Sequence, residues 1–136
     1  MKNLTFIGLL VVVVAVCLSL FWRHVAVARF DSDMRQHLAG IWLRQETGMS
    51  CTNTVEADGS FVELSWFSHP GRTNTYRRAG TWFVKDGSLV ETVKTSTNPT
   101  EVTPHTLAGR IVRSDASGFA VRWPNSAETV WQRVVQ

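Results

Sequence analysis

From Leu4 to Trp22 the chain runs for roughly 19 residues without a charge, about the length of apolar helix that crosses a bilayer. Beyond it the pattern changes twice. Phe30, Met34 and Leu38 recur at spacings of four, with Asp31 or Ser32 available as a cap, which predicts a short helical linker over residues 29–37. From Leu38 to Val135 the chain breaks into eight short runs rich in β-branched and aromatic residues. Turn signals part them: Gly48, Asp58-Gly59, Pro70-Gly71, Asp86-Gly87, Asn98-Pro99 with Pro104, Ser117-Gly118 and Pro124-Asn125. Asp-Gly between alternating hydrophobics supplies the positive φ that a tight hairpin needs. Eight strands joined mostly by short turns pair as an all-β, up-and-down antiparallel meander, and closure into a barrel removes the exposed edges. The predicted organisation is residues 1–28 as signal anchor or signal peptide, 29–37 as linker and 38–136 as an eight-stranded β-barrel.

Alternation assigns faces to the strands. Val62, Leu64 and Trp66 share one side of the third run, opposite Glu63 and Ser65. Gly80, Trp82 and Val84 share a side of the fourth, and Phe119, Val121 and Trp123 oppose Arg122 in the seventh. Taking the apolar sides as interior makes Trp66, Trp82 and Trp123 the candidate ligand-binding residues. An eight-stranded barrel has room for packed side chains or one small ligand. The stretch Asp58–Leu64 (DGSFVEL) is echoed by Asp86–Thr92 (DGSLVET), a hairpin solution used twice. It sets Glu63 and Glu91 at the same offset after a turn, where solvent-facing strand positions are expected.

Composition narrows the chemistry. The formal charge is +3, but Arg44, Arg72, Arg77, Arg78, Arg110, Arg113, Arg122 and Arg133 are spread among acids rather than gathered in a stripe, which argues against nucleic acid. Cys17 lies in the apolar run and cannot pair with Cys51 inside one folded domain. Cys51 is therefore expected as a small buried hydrophobe in a strand. His24, His37, His69 and His105 show no ligand spacing, so no metal site is expected. A Gly-x-Ser-x-Gly elbow and a Gly-rich phosphate loop are both missing from the sequence. No catalytic residue and no cofactor are assigned, and the chain reads as a non-enzyme. Thr92–Thr106, rich in Thr with two prolines, is expected to form the longest connection, where binding functions concentrate.

The N-terminal segment has three readings. Its length favours an uncleaved signal anchor. Met1-Lys2-Asn3, the apolar run and Ala26-Val27-Ala28 also fit a cleaved signal peptide. Acylation of Cys17 is the third, with Val16 a poor residue to precede a lipid-modified cysteine. Lys2 favours an inside N-terminus, against Arg23, Arg29 and Arg35 after the segment. The short basic start of an export signal places the domain outside.

The first strand carries Gly40-Ile41-Trp42. The chain then shows Asp58–Phe61 (DGSF), Gly80–Gly87 (GTWFVKDG) and a closing Trp131-Gln132-Arg133. Together these motifs resemble the small bacterial lipocalin-like domains, within the lipocalin and avidin-like barrel group, over about 100 residues. The resemblance implies that Trp42 packs under a basic residue near the end of the barrel, with Arg133 the matching candidate. Such a stacked contact would close one barrel end, worth about 0.5–2 kcal/mol.

The expected function is a membrane-tethered, non-enzymatic barrel of the bacterial envelope that binds a small apolar ligand or peptide. The alternative is a protein-interaction module, its barrel filled, acting with another envelope protein. The expected location is the cell membrane, single-pass, with the domain in the periplasm or outside. Secretion after cleavage near Ala28 is the variant.

Overall fold

The computed structural model describes residues 2–124 and 128–134, and side chains from residue 10 onward. One helix, α1 (Lys2–Leu38), takes in both the apolar run and the expected linker. They merge because neither Gly nor Pro falls between Trp22 and Leu38. At 1.5 Å per residue it is about 55 Å long. From Leu10 to Trp22 its side chains are exposed, an apolar band that no part of the fold covers.

The strands are β1 (Gly40–Glu46), β2 (Met49–Val55), β3 (Ser60–His69), β4 (Arg72–Lys85), β5 (Ser88–Ser96), β6 (His105–Asp115), β7 (Gly118–Arg122) and β8 (Glu128–Arg133). Each pairs antiparallel with the next, and β1 pairs with β8, so the meander closes as an eight-stranded barrel. The expected architecture is the observed one. The turn position Asn125 and the end of the last run at Val135 lie outside the described residues. The β4–β5 turn shows why Asp-Gly was informative, with Asp86 at φ 52° and Gly87 at φ 72°.

Up-and-down order gives the barrel two unlike ends. At one lie the start of β1, the end of β8 and the β2–β3, β4–β5 and β6–β7 turns. There α1 docks. Met34 and Leu38 are buried in the core, each worth about 1.5–3 kcal/mol of apolar transfer. The Asp31 carboxylate accepts the backbone N–H groups of Asp86 (2.8 Å) and Gly87 (3.0 Å). The apolar core continues inward through Trp42, Val55, Phe61, Trp82, Val84, Leu89, Val93, Phe119 and Val121. Among the described residues no helix crosses the opposite end, where the β1–β2, β3–β4 and β5–β6 connections lie.

One face assignment is reversed. On β3 the buried residues are Phe61, Glu63 and Ser65, whereas Val62, Leu64 and Trp66 are only half-buried. Trp66 is therefore on the outer face, paired in register with Ser50 and Thr75. The rule that the apolar side faces inward failed because this half of the interior is polar. Trp82 and Val84 on β4, and Phe119 and Val121 on β7, do face inward, as alternation predicts.

Candidate ligand-binding site

At the helix-capped end lie Trp42 and Arg133, the two residues that the resemblance pairs. Gly40, at φ 147°, leaves 3.2 Å between the position of an added Cβ and Arg133 Nη1, so a side chain there would press on the arginine. The Arg133 guanidinium carbon lies 4.4 Å from the Trp42 ring centroid, and its Nη2 donates to the His37 carbonyl. Trp42 is fully buried, donates from Nε1 to the Leu38 carbonyl at 2.7 Å and meets Phe119 edge-on at 4.7 Å. Trp82 belongs to the same floor, donating from Nε1 to the Glu56 carbonyl at 3.0 Å.

Above this floor the interior changes character. Cross-strand register sets Trp42, Asn53, Glu63 and Arg78 side by side on β1 to β4. Glu63 and Glu91, expected in solvent, are 6% and 7% exposed. Arg78 grips Glu63 Oε1 through Nε (2.8 Å) and Nη2 (2.7 Å), and reaches Glu101 Oε1 through Nη1 at 3.3 Å. Glu101 comes from the β5–β6 connection and also lies 3.4 Å from His105 Nε2. The long Thr-rich connection thus contributes directly to the barrel mouth. Burial pulls the Arg78 pKa down, but Glu63 first, then Glu101 and Glu91, outweigh it and hold the guanidinium above its usual range.

Two adjoining recesses open here. One, of ≈ 510 Å³, is bounded by Arg44, Glu63, Arg78, Glu91, Trp123 and Trp131. The other, of ≈ 420 Å³, shares Arg44, Glu63 and Arg78 and extends to Phe67, Tyr76 and Glu101. Of the three tryptophans proposed from sequence, Trp123 lines the larger recess, with its Nε1 donating to Thr129 Oγ1 at 3.1 Å. Trp82 is in the packed floor and Trp66 is outside. Trp131 lines the recess without having been singled out as a ligand contact.

Glu91 differs from the other carboxylates. Among the described residues it has neither a hydrogen bond nor an ion pair, although it is almost wholly buried and borders the recess. Burial first, and the Glu63 charge second, push its pKa up to about 7, with Arg78 opposing. Because the folded-state value is raised, the stability that Glu91 confers is full below its unfolded pKa and lost as pH rises to about 7. Glu91→Gln, which cannot ionise, is therefore expected to match the wild type near pH 4 and to exceed it by up to about 3 kcal/mol at pH 8. Urea unfolding at the two pH values checks this, and equal stabilities at pH 8 would refute a buried, ionising Glu91.

Cys51 is buried as expected, with its pKa pushed up to about 12 by burial first and then by Glu63. Burial favours the thiol over the nucleophilic thiolate, and the sulfur lies 3.4 Å from the Ser65 hydroxyl oxygen. Among the described residues no group of three or more His, Cys, Asp or Glu is placed to hold a metal ion. The arrangement is suited to holding a small molecule between charged groups and indole rings. No family model matches the chain, and a search of curated proteins returns no match.

Proposed function

We propose that this chain is a membrane-tethered, non-enzymatic barrel of lipocalin-like type, which binds a small ligand in the recess remote from its helix. The observation that carries the reading is the asymmetry of the barrel: a packed floor sealed by α1 and an open half holding a recess of ≈ 510 Å³ lined by charges and indoles. A filled interaction module would instead have a dry, packed interior throughout. The polar walls shift the expected ligand from an apolar one to an amphipathic one. The apolar helix α1, long enough by length and composition to cross a bilayer, supports the tether. Its junction with the barrel through Asp31, Met34 and Leu38 supports a mouth that opens away from the bilayer, and the side proposed for the domain is the periplasm or the exterior.

Topology is tested with Thr100→Cys, at the barrel mouth. Cys51 is buried, and Cys17 falls in the proposed membrane span, so neither competes for a water-soluble thiol reagent. The full chain is expected to stay with membranes through an alkaline wash, and a membrane-impermeant maleimide is expected to label Thr100→Cys once the outer barrier is permeabilised. Release by the wash would refute the tether. Labelling only after the inner membrane is broken would put the domain on the cytoplasmic side.

A further inference from the structure

We infer that the larger recess is a cation site, taking a small organic ammonium whose charge pairs with Glu91 and whose apolar body lies along Trp123 and Trp131. The inference rests on the ligand-binding reading above and specifies its substrate class.

The argument is one of charge pairing. The carboxylates bordering the recess are Glu46, Glu63, Glu91 and Glu128, and the guanidiniums are Arg44 and Arg78. Arg44 is engaged by Glu46 at 2.6 Å, Arg78 by Glu63 at 2.7 Å, and Glu128 by Arg122 at 3.3 Å. Glu91 is left over. A buried carboxylate without a cation or a hydrogen bond is costly to keep ionised, and a monocation supplies what the site lacks. The flanking groups agree. Trp123 and Trp131 present indole surfaces, whose negative faces attract ammonium groups as well as apolar carbon. An anion would meet two guanidiniums already committed to carboxylates and would be repelled by Glu63 and Glu91. A neutral guest would leave Glu91 without a counter-charge.

A second consequence concerns protons. The groups bordering the space around Glu91 are Arg44 and Glu46 of β1, Glu63 of β3, Arg78 of β4 and Glu128 of β8, with Glu101 and His105 beyond Arg78. Burial keeps the Glu91 carboxyl partly protonated near neutral pH. Pairing with an ammonium favours the carboxylate, so binding at that pH is expected to release protons.

The test uses three probes of equal length, n-hexylammonium, n-hexanol and hexanoate. They are titrated calorimetrically at pH 7.5 into the full chain in zwitterionic nanodiscs, with empty nanodiscs as the blank. Hexylammonium is expected to bind on the order of tenfold more tightly than hexanol, with hexanoate weakest. Glu91→Gln is expected to bring hexylammonium to within about twofold of hexanol. At pH 6.5, buffers of different ionisation enthalpy are expected to reveal proton release in the wild type and none in Glu91→Gln. If hexanol or hexanoate binds as tightly as hexylammonium, or the preference survives Glu91→Gln, the cation site is wrong while ligand binding stands. If none of the three binds, both readings fall.

Discussion

Replacing Arg78 with methionine is expected to cost the fold about 3–5 kcal/mol at pH 8, because it strands a buried charge. Glu63 is 6% exposed, and among the described residues Arg78 supplies both of its short ion-pair contacts, with the Ser65 hydroxyl donating to it at 3.2 Å. Arg78 is also the charge that opposes the rise in the Glu91 pKa. Its loss would therefore leave two carboxylates in one cavity without a counter-charge. Glu63→Gln combined with Arg78→Met is expected to recover most of the lost stability, since the double replacement removes both charges. Urea unfolding of the two single variants and the double variant measures this. A loss below about 1 kcal/mol in Arg78→Met, the usual worth of an exposed ion pair, would mean that water reaches Glu63 freely.

Trp42→Ala is expected to be comparably damaging, at about 3–5 kcal/mol. The ring is fully buried and meets Phe119, the Arg133 guanidinium and the Leu38 carbonyl. It ties the barrel floor to the end of α1, so its removal opens a cavity where two elements join. With about 100 residues in the barrel, such a loss lowers the melting temperature by roughly 12–40 °C. Trp42→Phe keeps the aromatic packing but loses the N–H donor to Leu38, and is expected to cost less. Thermal unfolding followed by circular dichroism separates the three proteins. A melting temperature for Trp42→Ala within a few degrees of wild type would show that the floor does not depend on this contact.

Much of the fold was legible in sequence because its signals are local. The Asp-Gly turns, the eight runs between turn signals and the Gly40–Trp42 motif each depend on a few adjacent residues, and the barrel has eight strands with Asp-Gly at its hairpins. The binding site was less legible. Val62, Leu64 and Trp66 are the apolar side of β3, yet they lie outside, because the inward side carries Glu63 and Ser65 into a polar cavity. Face assignment by hydrophobicity presumes an apolar interior, and a recess lined by charged groups breaks that presumption. The correction was nonetheless present in the repeat. On β5 the residues Leu89 and Val93 face inward and carry Glu91 with them. The matching stretch on β3 has the same offset from its Asp-Gly turn, so Glu63 turns inward with Phe61. What no local pattern conveys is the pairing of Arg78 with Glu63, 15 residues earlier in the chain, and with Glu101, 23 residues later. That arrangement exists only once the sheet has closed.

Whether the open half of the barrel is a binding site is tested most directly by nuclear magnetic resonance of the tryptophan indole N–H groups. The full chain in nanodiscs is titrated with n-hexylammonium. The Trp123 and Trp131 signals are expected to move together and saturate. Those of Trp42 and Trp82, donated to backbone carbonyls in the floor, and of Trp66 on the outer face, are expected to stay in place. Movement of Trp66 with Trp123 and Trp131 unchanged, or no saturable movement at all, would contradict a ligand site inside the barrel.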